Sequence, residues 1–148
     1  MYDLLLSVHN FVRWFFLAAM AYALFSAIKG MLGALTYTKS DKTASTFLVA
    51  SAHSQLLLGL ILWFTSPNVE MARANFNLAM KDANLRLQLL EHPLLMIIAV
   101  VLIQVGSIQI KKAYADADKH KRAIIFFGIA LVLVLSRIPW SSTPLFRF

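Results

Sequence analysis

Residues 4–28 read LLLSVHNFVRWFFLAAMAYALFSAI, a run whose single fully charged side chain is Arg13. A helix rising 1.5 Å per residue needs about 20 apolar residues to cross roughly 30 Å of hydrocarbon, so this stretch is long enough for one membrane span. Three more lie further along, at about residues 44–64, 91–110 and 123–140. The rest of the composition agrees with that reading. Of 148 residues, 59% are hydrophobic and 14% charged, against about 45–50% and about 25% in a soluble domain. Folded in water, such a chain would expose large apolar patches. The absence of cysteine and the scarcity of Gly and Pro exclude disulfide-rich, collagen-like and disordered classes. The expected fold is all-α: one integral-membrane four-helix bundle over residues 1–148, with an amphipathic helix in its outer loop.

The first span is not read as a signal peptide. Ala21-Tyr22-Ala23 has the form of a cleavage site, but no basic region precedes the apolar run and Arg13 lies within it. Lys and Arg in short loops stay on the cytoplasmic side. Lys29, Lys39 and Lys42 come after span one, and Lys111, Lys112, Lys119, Lys121 and Arg122 after span three. Arg73, Lys81, Arg86 and Arg147 lie on the other face. Both termini are therefore expected outside; in a bacterial cell this is the inner membrane with periplasmic termini. The net charge of +7 then records orientation, and no nucleic-acid partner is expected. Trp63 and Trp140 fall near outer span ends, where amphipathic rings favour the interface. In the outer loop, Ser66-Pro67-Asn68 ends span two. Phe76, Met80, Ala83, Leu87 and Leu90 then recur at helical spacing, predicting an amphipathic helix that lies on the outer surface or continues into span three.

Polar residues inside the spans are the candidates for chemistry. Stepping about 20 residues outward from the basic collar puts His9 and His92 at nearly equal depth, at the outer rim of the hydrocarbon. His53 lies mid-span. His120, within Lys119-His120-Lys121-Arg122, reads as a surface residue. Arg13 is one turn from His9 on the same helix face, and Arg137 enters from span four at comparable depth. Charged side chains in a membrane face inward and take partners, yet only Asp3 and Glu91 are placed to reach these arginines. The shortage points to an exogenous partner: cofactor propionates, lipid phosphate or a quinone carbonyl. The alternative is that both arginines extend to the headgroups. Helical bundles build cofactor sites from inward side chains. His9 with His92 best meets the need of a haem iron for two imidazoles at one height, with His53 in reserve. A histidine in a membrane helix also serves as a plain interhelical hydrogen-bonding group. A bare metal site is disfavoured because no thiolate or intramembrane carboxylate joins the histidines. Gly-rich phosphate loops, cysteine nucleophiles and proton-carrying carboxylates are absent, and the serines beside His53 and Arg137 lack an orienting acid.

Four short motifs carry a family resemblance: His9-Asn10-Phe11-Val12-Arg13-Trp14; Ala52-His53-Ser54-Gln55-Leu56 with Gly59; Glu91-His92-Pro93; and Arg137-Ile138-Pro139-Trp140. Together they resemble the short four-span bacterial membrane proteins called cytochrome b-like, over almost the whole chain. That resemblance implies haem b, electron transfer, and roles for His9, His53, His92 and Arg13. The expected function is electron movement between a quinone pool or larger respiratory membrane complex and an outer partner. The alternative is a cofactor-free accessory subunit that binds lipid through Arg13 and Arg137. A small transporter or metal-handling protein ranks below both, since no ion pathway can be traced.

Overall fold

The computed structural model describes residues 1–140, so Arg147 lies outside the described residues. Helix α1 (Tyr2–Leu32) and α2 (Lys39–Thr65) form one antiparallel pair. α6 (His92–Lys112) and α7 (Asp116–Arg137) form another. α1 packs on α2 and α7, and α6 packs on the same two helices, so the long helices close into a ring with α1 diagonally opposite α6. Met20, Leu48, Ala52, Ile103, Phe127 and Ala130 fill its centre. Large apolar side chains, including Phe11, Phe25, Leu57, Phe64, Val101 and Val132, cover the exterior, a surface that water would not tolerate.

Among the described residues three helices are long and apolar enough to cross a membrane: Tyr2–Leu32, Lys39–Thr65 and the continuous stretch Ala83–Lys112. α7, the expected fourth span, falls short. Lys121 and Arg122 at its start and Arg137 at its end leave an uncharged run from Ala123 to Ser136, below the roughly 20 residues a span needs.

The outer loop is not one amphipathic helix. It is α3 (Pro67–Ala74), α4 (Phe76–Lys81), α5 (Ala83–Arg86) and a π turn, Leu87–Glu91. Ser66 caps α3 ahead of Pro67, where a missing N–H costs nothing. Asp82 breaks the periodic pattern, because its carboxylate accepts from the backbone N–H groups of Asn84 and Leu85 and starts a new helix. The cap folds on its own small core of Val69, Ala72, Ala79 and Leu89, leaving Phe76 and Leu90 of the expected face exposed. Trp63 donates to the Leu89 carbonyl at 2.9 Å, and the Arg73 guanidinium lies 4.0 Å from the Trp63 ring centroid. Trp63 is thereby committed to the cap.

At the lysine-rich end, His120 is 1% exposed, which corrects its reading as a surface residue. Its basic neighbours point elsewhere on the helix, since adjacent residues lie about 100° apart. The ring donates from Nε2 to the Leu35 carbonyl at 3.1 Å and packs against Tyr37, with centroids 5.4 Å apart. Ala34 adopts a positive φ of 48°, uncommon for a residue with a Cβ, and turns the chain so that the Leu35 carbonyl meets His120. Gly30 makes room: a Cβ there would overlap the His120 ring. The next helix is started by a capping box, Asp41 accepting from the Thr38 N–H at 2.7 Å and Thr38 from the Asp41 N–H. Ser26 also donates to Asp41, tying α1 to that cap.

Because the His120 ring occupies the space that Gly30 leaves, Gly30→Ala should lower thermal stability in detergent by about 1–3 kcal/mol through overpacking, and adding His120→Ala should recover part of the loss. Burial, then the nearby Asp41 carboxylate, push the Tyr37 phenol up to about 12. The unfolded phenol ionises near pH 10, so Tyr37 should contribute stability that is intact below that pH and lost as pH rises towards 12. A pH series of unfolding midpoints for the parent and Tyr37→Phe should show that component absent from the variant.

Candidate functional site

At the His9 end the four long helices splay around a cavity of about 360 Å³, within the roughly 300–1,000 Å³ of small-molecule sites. Its walls are mainly apolar: Leu6, Phe16, Leu56, Met96, Val134 and Ile138 among them. Ser66, Asn68, Val69, Leu87 and Gln88 close it on the cap side. Tyr2 approaches Ser66 at 3.5 Å and Asn68 donates to Gln88 at 3.2 Å along that closure. The polar lining is concentrated in His9, Asn10, Arg13, Gln55 and His92. Asn10 and Arg13 are buried, with Arg13 only 8% exposed.

Helical spacing explains which polar groups arrive there. On α1, His9 and Arg13 are four residues apart and Asn10 and Arg13 three, so all three share the inward face. On α2 the inward face is Ala52, Gln55, Leu56, Gly59 and Leu62. His53 falls between these positions and is exposed on the opposite side, donating from Nδ1 to the Val49 carbonyl at 2.8 Å. It is therefore no reserve ligand for this cavity. Gln55 takes its place, donating from Nε2 to the His9 carbonyl at 3.0 Å and lying 3.3 Å from His9 Nε2. With an amide N–H facing Nε2, the His9 proton belongs on Nδ1, a buried atom with no hydrogen-bond partner among the described residues. Gly59 lets the ring approach α2, since a Cβ there would stand 3.3 Å from His9 Cε1.

His92 enters from α6, diagonally opposite α1. Its Nδ1 lies 2.7 Å from the Arg137 carbonyl oxygen; a carbonyl only accepts, so Nδ1 carries the proton and Nε2 keeps its lone pair. His9, Arg13 and His92 are close enough to interact electrostatically.

Arg137 is the expected site residue that the cavity does not receive. Its side chain is 42% exposed and pairs with Glu91 at 3.3 Å, while the other Glu91 oxygen accepts from Arg86 Nε at 2.7 Å. Glu91, one of the two carboxylates placed by the sequence to reach the arginines, is thus the partner of Arg137. The Arg137 main-chain carbonyl still shapes the site through His92. Gln55 and Asn10 are site residues that the sequence reading leaves out, although the three-residue spacing of Gln55 from Ala52 and of Asn10 from Arg13 marks both as inward. Among the described residues no cluster of three or more His, Cys, Asp or Glu side chains could hold a bare metal ion.

No family model, curated protein or solved structure matches the chain.

The opposite placement of two near neighbours on α2 is directly measurable. Gln55→Leu strips the amide from the buried His9 backbone and ring and should destabilise by about 1–3 kcal/mol. His53→Leu, on the outward face, should stay within about 0.5 kcal/mol of the parent. Thermal unfolding of both variants in one detergent checks the contrast.

Proposed function

We propose that the chain is an integral-membrane, b-type cytochrome-like electron carrier that holds haem in the cavity at its His9 end. The observation that carries this reading is the meeting of two imidazoles, His9 and His92, from diagonally opposite helices in one apolar cavity that also holds the Arg13 guanidinium. The residues fit the group. His92 has its proton fixed by a main-chain carbonyl and its Nε2 lone pair free, the arrangement that metal-ligating histidines use. His9 would ligate through Nδ1, a buried ring nitrogen with no partner among the described residues, its proton passing to Nε2 and the Gln55 amide turning its unpartnered Oε1 to accept it. Arg13 supplies a positive charge suited to a carboxylate of the cofactor.

In this reading α7 completes a four-helix membrane bundle, with the lysine-rich end cytoplasmic by the positive-inside rule and the cavity in the outer half. Haem, when bound, supplies a one-electron iron couple. The chain's own residues do the rest: His9 and His92 hold the iron, Arg13 holds the anionic edge, Gln55 steadies the His9 segment, and the apolar walls with the cap exclude water. Burial and imidazole hydrogen bonding then set the potential.

A second reading, a cofactor-free accessory subunit of a larger membrane complex, is favoured by His53. An imidazole facing outward from the middle of an apolar helix is costly in lipid and is relieved by packing against another chain.

The visible absorption spectrum of full-length protein from haem-replete cells separates the two readings. The expected result is a Soret band and a reduced α band, lost in His9→Ala and His92→Ala and retained in His53→Ala and His120→Ala. A colourless parent protein would overturn the haem reading and leave the accessory one.

A further inference from the structure

We infer that Glu91 and Arg137 are positioning residues that set the proton and orientation of His92 through the end of α7. The inference deepens the haem reading, and its potentiometric arm rests on that reading.

The last carbonyls of a helix have no intrahelical donor, and its C-terminus carries partial negative charge. α7 stops at Arg137, with Ile138 already extended and Pro139 next in the chain. The Arg137 carbonyl is thus a strong acceptor, and His92 Nδ1 takes it at 2.7 Å. A helix end frays unless it is held. Here the holding group is the residue just before His92: Glu91 pairs with Arg137 Nε at 3.3 Å, and Arg137 Nη1 folds back to the Ser136 carbonyl at 2.9 Å.

Glu91 is itself fixed on its other side. Arg86 Nε donates to it at 2.7 Å, and Arg86 Nη1 donates to the Met80 carbonyl at 2.8 Å in α4. The π turn Leu87–Glu91 carries the chain from this anchor to His92. Such turns insert a residue and re-aim the side chains beyond them. Neighbouring residues then face different ways: Glu91 meets the two arginines, and His92 lines the cavity. The result is one continuous chain of contacts from the cap, through Glu91 and Arg137, to the ring that faces the ligand.

The chemical consequence concerns donor strength. An imidazole whose N–H is held by a carbonyl is a more basic ligand and favours the ferric state. Loosening the end of α7 weakens that hydrogen bond and raises the reduction potential. Charge alone acts differently: removing the Arg137 cation would lower the potential, and shortening Glu91 with its charge kept would leave it unchanged.

Glu91→Asp and Arg137→Gln in the full-length protein separate these cases. Redox titration of the haem-loaded proteins should show an upward shift in Glu91→Asp, which keeps the charge and loosens only the helix end. Histidine ¹⁵N resonances of haem-free protein in detergent should show His92 as a single Nδ1–H tautomer in the parent and a mixture of tautomers in each variant. An unchanged potential in Glu91→Asp would overturn the proposal, as would an intact Nδ1–H tautomer in both variants. If the parent takes up no haem, the haem reading fails, and the tautomer measurement alone still decides this one.

Discussion

The 2.7 Å hydrogen bond from His92 Nδ1 to the Arg137 carbonyl is the contact on which the site depends. It joins the start of α6 to the end of α7, two points far apart in sequence. It satisfies a helix-end carbonyl that would otherwise be left without a partner, and it fixes which ring nitrogen carries the proton. The lone pair of Nε2 is thereby available in a cavity whose opposite wall holds His9. Without it, an imidazole between apolar walls would have no reason to prefer one tautomer or one orientation.

Four histidines occupy four physically distinct environments. His92 is oriented by a carbonyl on another helix, and His9 by the Gln55 amide with Gly59 providing space. His53 closes a bond to its own helix on the outward face. His120 is sealed at the lysine-rich end, where Gly30, the turn at Ala34 and the Tyr37 ring are built around it. The last of these is an interhelical pin: α7 is held to the α1–α2 connection by a ring that reaches neither water nor the cavity. Its environment shows why neighbouring charge is a poor guide to exposure. Lys119 and Lys121 flank His120 in sequence, but on a helix they flank it by rotation as well.

Much of this is legible in the sequence. The apolar runs beginning at Leu4, Ala44 and Glu91 are long enough that length alone locates three long helices. Counting residues outward from the basic collar brings His9 and His92 together, and both line the cavity. Other features depend on angle, which a depth count ignores. His53 and Gln55 are two residues apart, about 200° around a helix, so one faces the cavity and the other faces away. The cap escapes a periodicity reading because Asp82 fits a continuing helical pattern, whereas its carboxylate captures the amides of Asn84 and Leu85 and restarts the chain. The role of Arg137 is hidden for a different reason. It acts through its main-chain oxygen, and no side-chain inventory registers a carbonyl.

Two imidazoles from opposite helices holding one iron are the centre of the proposed site, and the spin state of that iron is their most direct signature. Electron paramagnetic resonance of the oxidised, haem-replete full-length protein should show a low-spin ferric centre with two nitrogen ligands. Loss of either His9 or His92 should convert it to high spin. A parent centre that is already high-spin, or a low-spin signal that survives both substitutions, would contradict bis-histidine ligation in this cavity.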